Sequence, residues 1–521
     1  MIKQIEIKVD PSKIHDNEAQ KKIAASLLKL NLKEITALAP LRRSIDARSR
    51  EPHYKVLLDV YINQQPSELR PRINYLPVKT SKKVIVVGSG PAGMFAALRL
   101  IELGIKPVVI ERGKDVQTRR RDLKAVQQYS IVDPDSNYCF GEGGAGTYSD
   151  GKLYTRSTKR GDVNKILNIF VQHGAVEDIL IDAHPHIGSN RLPKIVQAIR
   201  DTIISSGGEI HFQSRLTDFI IENNEIKGII VNGKNEIFGD AVILATGHSA
   251  RDIFYLCAKR DIYLEAKPFA MGVRIEHPQA LIDEIQYHKK QRGEYLPAAS
   301  YSLTCQVDQR GVFSFCMCPG GIIIPASTAP GELVLNGMSV SRRDSEFANS
   351  GFVVTINEND WSKYSNQGIF AGLEYQKELE KVSFETGGRT QRAPAQRITD
   401  FIERKVSMTL PRTSYIPGIV SSPLHEVLPK PIAKGLREAL LIFSKKMKGY
   451  LTEEAQILAA ETRTSSPIRI PRDRETLMHI GIKGLFPSGE GAGYAGGIVS
   501  AAIDGENSAD AAIRYISMQQ Q

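Results

Sequence analysis

The sequence predicts an α/β protein. A dinucleotide-binding unit of the Rossmann type is preceded by a small α/β module and split by an inserted mixed α+β domain. Three observations predict this. Val84 to Gly113 reads as strand, tight turn, helix and strand, delivering an acid at Glu111. Gly484 to Ile498, far along the chain, again runs from a short apolar strand into glycines. Between them, residues 265–440 mix strand and loop patterns with repeated Gly and Pro. The expected layout is residues 1–78 for the first module and 79–264 for the first part of the nucleotide domain. Residues 265–440 form the inserted substrate domain, and 441–521 the return.

The elements follow in order. Ile2–Val9 alternates as a strand does, and a helix follows from about His15 to Leu30. Strand patterns recur at Glu34–Leu38 and Tyr54–Ile62, and Pro66, Pro71 and Pro77 punctuate a linker. Val84–Val87 is a continuous apolar run, as expected of a parallel strand buried on both faces. The next helix carries Met94, Ala97, Leu98 and Ile101 on one face and stops near Gly104. A second apolar strand, Pro107–Ile110, leads to Glu111. Gln117 to Lys124 reads as helix, and the glycine-dense stretch Tyr138 to Lys152 as loop. A helix spans 191–206, with strands at Glu209–Phe212, Leu216–Glu222, Ile226–Val231 and Ala241–Leu244.

The pattern G-x-G-x-x-G occurs at Gly88, Gly141 and Gly491. Only the first has a strand before it, a helix after it and an acid 23 residues after its first glycine. There Gly88 makes the turn, Gly90 lets a pyrophosphate approach, and Gly93 lets helix and strand pack closely. Glu111 stands where a carboxylate binds ribose hydroxyls and disfavours a 2′-phosphate, so FAD or NAD suits the site better than NADP. The Gly141 copy lacks that frame and reads either as a loop hugging an extended cofactor or as a plain surface loop. The Gly491 copy begins 30 residues before the last residue, too few for a second nicotinamide-binding unit. It leads instead into a helix near Gly496, whose first N–H groups suit an anion.

Together these segments resemble the FAD-dependent oxidoreductases of glutathione-reductase-like fold. Val242-Ile-Leu-Ala-Thr-Gly-His248 resembles that family's second motif, and Gly489-Glu490 stands where Gly-Asp is usual. At closer range, four blocks resemble the uncharacterised bacterial NAD(FAD)-utilising dehydrogenases. These are Phe140 to Leu153, Ala245 to Asp252, Phe315 to Gly321 and Glu461 to Ile468. The resemblance implies a hydride-transferring FAD enzyme of unnamed substrate, with NAD(P)H as a transient electron donor. Its cofactor-binding residues are expected to be Gly88, Ser89, Gly90, Pro91, Ala92, Gly93, Glu111, Arg112, Gly143 and Gly144. Leu216, Ala245, Thr246, Gly247, Gly489, Glu490, Gly491, Gly496, Gly497 and Ile498 complete that set.

Catalytic candidates are Cys316 and Cys318, which follow the apolar strand Val312–Phe315. They read either as redox or substrate-contacting thiols or as packing residues in a turn. C-x-C supplies two metal ligands and no matching pair accompanies it, so no metal site is expected. His248 reads as structural or as an acid/base group. Arg463 reads as an anion binder or as half of a surface ion pair. His184-Pro-His186 reads as structural.

Of 521 residues, 41% are hydrophobic, and five are cysteines, which argues against a secreted disulfide framework. No apolar run reaches the roughly 20 residues needed to span a bilayer. The first residues lack a signal-peptide core, so a cytoplasmic location is expected. Net charge is +10, and residues 1–80 hold 15 Lys/Arg against 9 Asp/Glu. That balance keeps two other readings open: a flavin-dependent RNA-modifying protein, and a flavoprotein whose first module recruits a partner while its FAD is structural. No aromatic-rich RNA-binding signature accompanies the charge, which favours a solvated basic face.

Overall fold

The computed structural model describes residues 1–49, 51–66, 72–155 and 158–519, and strand counts refer to these. The N-terminal sheet is antiparallel, in the order Ile2–Val9, His53–Ile62, Ile35–Asp46, with helix Asn17–Leu28 packed on it. Along His53–Ile62 every second residue is buried, as the strand period requires. Three strands and one helix leave apolar surface to cover. Here the inserted domain covers it. Val56, Leu58 and Val60 share one apolar cluster with Val273, Phe352 and Val354. Tyr54 donates to the Tyr295 carbonyl at 2.7 Å, and Arg43 pairs with Asp182 at 2.7 Å. The module expected to stand apart is thus joined to both of its neighbours. Pro66 and Pro77 lie in irregular chain, and Pro71 lies outside the described residues.

The nucleotide-type sheet is parallel throughout. Its order is Leu485–Pro487, Ala241–Leu244, Lys83–Val87, Lys106–Ile110, Glu209–His211. Helix Pro91–Glu102 is buried almost all round, from Ala92 to Leu98 and at Leu100 and Ile101, rather than on one face. Helix Ile498–Met518 covers its outer side. The approach is so close that a Cβ on Gly505 would overlap the Ala92 carbonyl. A separate antiparallel sheet comprises Leu216–Glu222, Glu225–Val231 and Asn235–Phe238.

The third large sheet has seven strands. Their order is Thr304–Val307, Arg310–Cys318, Phe347–Ile356, Phe269–Pro278, Gln456–Glu461, Ala393–Arg397, Ile419–Ser421. Helix Lys430–Lys446 packs on it through Leu436, Leu440 and Phe443. Gln456–Glu461 lies inside this sheet, beyond the boundary expected at residue 440. All six of its residues are buried, between Phe269–Pro278 and Ala393–Arg397. The chain rejoins the parallel sheet at Leu485. A second difference concerns the cysteines. The strand does not end at Phe315; it continues through Cys318, with a bulge between Phe315 and Cys318 opposite Gly351 and Asn349.

No helix among the described residues is long and apolar enough to cross a membrane.

Candidate functional site

Four glycine-bearing segments meet where the parallel strands end. The first is the turn after Lys83–Val87. Gly88 has φ +102°, and a Cβ there would overlap the Ala245 carbonyl. A Cβ on Gly93 would overlap the Gly88 carbonyl, so this glycine lets the helix sit against the strand end. Gly90 differs from both. The nearest atom to a Cβ at Gly90 is Gly144 Cα, at 4.0 Å, so the protein itself leaves that side open. Ser89 and Pro91 flank it, and Pro91 begins the helix, where a missing N–H costs nothing.

The second segment is the loop at Gly141. Gly143 N–H donates to the Ser89 carbonyl at 2.9 Å, which holds Gly143 and Gly144 beside Gly90. The third and fourth are Ala245-Thr246-Gly247 and Gly489-Glu490-Gly491. A Cβ on Gly491 would lie 2.6 Å from the Gly247 carbonyl, so these two segments are in direct backbone contact. Ala92, Ala245 and Ala501 form a small apolar cluster with Ala495 where the segments join. At Gly247, Gly496 and Gly497 a Cβ would meet nothing within 4 Å. Helix Ile498–Met518 starts at that open side with no side-chain cap.

Glu111 is buried and fully engaged. One carboxylate oxygen accepts from Ser89 N–H at 3.0 Å and Ser89 Oγ at 2.8 Å. The other accepts from Gly113 N–H at 2.8 Å and Gly141 N–H at 3.0 Å. A carboxylate has about four acceptor positions, and all are taken. Glu111 therefore ties the second strand to both glycine loops, a role that spacing alone did not reveal. Arg112 lies 4.2 Å over the Phe140 ring and pairs with Asp135 and Asp252. Ser214 N–H donates to the Glu111 carbonyl at 2.9 Å, and Leu216 follows, packed among Val87, Ile110 and Phe140.

Two supporting residues were not anticipated. Arg119 is fully buried, and its guanidinium donates to the carbonyls of Asn137, Glu142 and Gly144, pinning the Gly141 loop. Burial holds its pKa below the usual arginine value. It sits in a run of three arginines, where nothing marks it as the one turned inward. Asp504, within the last helix, accepts from Gly489 N–H at 2.7 Å and pairs with Arg472 at 2.6 Å. Its signal was the first acid after a small and apolar helical turn, Ile498 to Ile503. Glu490 instead faces His248, with Oε1 3.6 Å from Nδ1. His248 Nε2 lies 2.9 Å from the Arg463 carbonyl. Arg463 is neither an open anion site nor a surface pair. Its guanidinium is buried against Glu332, Glu380 and Thr328.

The Gly141 loop continues to Lys152, which crosses to the inserted domain. Lys152 Nζ lies 3.8 Å from Cys316 Sγ and also donates to the Met317 carbonyl. Arg274 is fully buried in Phe269–Pro278, one strand beyond the neighbour of Arg310–Cys318. It donates to Cys316 O at 2.9 Å and Cys318 Sγ at 3.6 Å, and pairs with Glu461 at 2.8 Å. Gly337 makes room, because a Cβ there would overlap the guanidinium. Charged residues inside apolar strands were the available signal for Arg274 and Glu461. His186 Nε2 bonds the Ser341 carbonyl, and no metal-ligand cluster occurs among the described residues.

These features fit an extended dinucleotide. Side-chain-free backbone borders open space at Gly90, Gly247, Gly496 and Gly497, and two helices begin there. Residues 81–126 match the family model described as FAD binding domain, and 268–464 match "FAD-dependent protein, C-terminal domain-like". Residues 1–61 match a domain of unknown function. An uncharacterized protein of Clostridium beijerinckii is 40% identical over 510 residues, covering 94% of each chain. A thiamine thiazole synthase of Aeropyrum pernix is 27% identical over 150 residues, 29% of this chain and 43% of that one. The crystal structure of a geranylgeranyl bacteriochlorophyll reductase-like protein from Thermoplasma acidophilum is 12% identical, with a TM-score of 0.35. It covers 84% of this chain and 80% of its own. The chain uses FAD as its cofactor, and it belongs, with the Clostridium beijerinckii protein, to a family of FAD-dependent proteins.

Proposed function

We propose that the protein is an FAD-dependent oxidoreductase working as a dehydrogenase or reductase, with a small-molecule substrate and NAD(P)H as transient electron donor. When bound, FAD supplies the hydride chemistry. The chain's residues supply the holding and the exclusion of water. The Gly88–Gly90 turn and the start of helix Pro91–Glu102 would take the pyrophosphate, through backbone N–H groups and the positive helix end. Gly143 and Gly144 would line the same stretch. Ala245–Gly247 and Gly489–Gly491 would close the far side. The uncapped start of helix Ile498–Met518 would face negative charge on the cofactor.

The observation that carries this reading is the contrast among glycines. Gly88, Gly93 and Gly491 are packed against backbone, whereas a Cβ at Gly90 would meet only Gly144 Cα, at 4.0 Å, and one at Gly247, Gly496 or Gly497 no protein atom within 4 Å. The test begins with the purified protein. Its visible spectrum should show a flavin, and heating should release FAD into the supernatant. Anaerobic addition of NADH or NADPH should then bleach the flavin band. A folded protein that carries no flavin after incubation with FAD would refute the site. A bound flavin that neither nucleotide bleaches would refute the nicotinamide donor alone.

A further inference from the structure

Cys316 and Cys318 occupy an unusual local structure. Cys316 has φ +44°, in the left-handed region that non-glycine residues seldom adopt. It sits in the bulge that shifts the register between Phe315 and Cys318. Bulges re-aim side chains and collect beside functional sites. The two thiols differ in access: Cys316 is partly exposed and Cys318 is buried. Cys318 Sγ also lies 3.3 Å from the Cys316 carbonyl.

The charges around the pair are unequal. Arg274 touches both residues, but its guanidinium is also held by Glu461 at 2.8 Å and by Asn349 Oδ1 at 2.8 Å. Lys152 touches Cys316, and its nearest acid, Asp150, lies 4.0 Å away. Asp150 is itself paired with Arg343 at 2.5 Å. Lys152 is thus shared between the Cys316 sulfur and the Met317 carbonyl, with Asp150 farther off.

From this geometry we infer that Cys316 and Cys318 form a redox-active thiol pair that exchanges with small disulfides. Cys316 is the attacking thiolate, Cys318 the resolving thiol, and Lys152 the positioning residue that keeps Cys316 ionised. The titration directions agree. The Cys318 hydrogen bond and the Lys152 and Arg274 charges hold Cys316 well below the usual thiol range, against the cost of burial. Cys318 is pushed well above it by the same hydrogen bond and by burial.

The exchange balances without a further reagent. Cys316 Sγ attacks one sulfur of R–S–S–R, the S–S bond breaks, and one RS⁻ leaves with the electron pair. Cys318 then gives its proton to solvent and attacks Cys316 Sγ, expelling the second RS⁻. The two cysteines lose two electrons, and the small disulfide gains them. Excess small thiol reverses both steps. This inference does not depend on the reaction of the flavin.

The test uses the FAD-loaded protein, freed of reductant and treated with 5,5′-dithiobis(2-nitrobenzoate) from pH 6 to 9. The wild type should release two equivalents of thionitrobenzoate in a fast phase, and the peptide holding both cysteines should lose the mass of two hydrogens. Cys318→Ser should release one equivalent quickly and keep the aromatic adduct on Cys316. Lys152→Met should move the midpoint of the fast phase up by about one pH unit, and Lys152→Arg should restore it. Flavin content and melting temperature report folding of each variant. The pair is refuted if the wild-type peptide keeps its mass, or if the fast phase survives Cys316→Ser. It is also refuted if Lys152→Met leaves the pH profile in place. Should Cys316→Ser fail to fold, the wild-type peptide mass and the Lys152 variants decide the matter.

Discussion

Arg274 Nη1 lies 2.8 Å from Glu461 Oε2, and both side chains are buried in adjacent strands of the seven-stranded sheet. Burial disfavours charge on each. For Arg274 burial is the largest single effect, but the attractions of Glu461, Cys318 and Cys316 together outweigh it and raise its pKa. For Glu461 burial wins, and the carboxyl is pushed up to about 7 in spite of Arg274.

Removing one partner of this pair strands the other. Glu461→Ala should lower stability by about 3–5 kcal/mol, the usual cost of an uncompensated buried charge. Arg274→Met combined with Glu461→Leu should recover much of that loss, because no charge then remains to be solvated. Urea unfolding of the two variants and the wild type measures both. A double variant no more stable than Glu461→Ala would show that packing, not charge, dominates the site.

Gly90 and Gly93 are three residues apart and should respond oppositely. A Cβ on Gly90 meets only Gly144 Cα, at 4.0 Å, so Gly90→Ala should melt near the wild-type temperature and bind FAD at least tenfold more weakly. Gly93→Ala places a methyl on the Gly88 carbonyl and should cost about 1–3 kcal/mol or more. Fluorescence titration with FAD and a thermal melt on each variant separate these outcomes.

Glu111→Gln replaces acceptor capacity with an amide that must turn its N–H groups toward backbone donors. Ser89, Gly113 and Gly141 each donate to this carboxylate. The variant should lose about 1.5–3 kcal/mol of stability even without FAD, on the scale of hydrogen bonds to a charged group. An apo-protein melt unchanged by the substitution would show that the junction does not need the charge.

His277 is fully buried, with Nε2 at 2.8 Å from the Tyr450 carbonyl and Nδ1 without a partner. Burial lowers its pKa to about 4. The folded-state value lies below the unfolded value of about 6.5, so the unfolded chain binds the proton first. Stability from this residue is complete above about pH 6.5 and falls as pH drops toward 4, by about 3 kcal/mol in total. Compared with His277→Gln, the wild type should lose that much more between pH 7 and pH 4. Parallel unfolding-stability curves for the two proteins would contradict the assignment.

Much of this was legible in sequence because it is local. The first glycine turn, its flanking strands and Glu111 follow from backbone requirements within thirty residues. The strands Ile2–Val9, Leu216–Glu222 and Ala241–Leu244 have the expected bounds, since alternation or an unbroken apolar run marks each. What was not legible depends on partners far along the chain. Helix Pro91–Glu102 reads as amphipathic because its cover, Ile498–Met518, lies some 400 residues away. Lys152 and Cys316 are 164 residues apart, and no local pattern joins them. Glu111 was found by spacing, but that its carboxylate is saturated appears only when four donors are seen together.

The pairing of Leu485–Pro487 with Ala241–Leu244 sets a schedule for the nascent chain. Val242 lies beside Leu485, about 240 residues later. At about 5–20 residues per second, the ribosome needs on the order of tens of seconds to supply the missing edge. Until then an entirely apolar strand has one row of backbone groups unmatched, a template for the wrong neighbour. Synthesis stopped short of residue 485 leaves the first glycine turn built and the last helix absent. Such a fragment would be work for a chaperone, and full-length chains should gain most from one that holds the first half while the second is made.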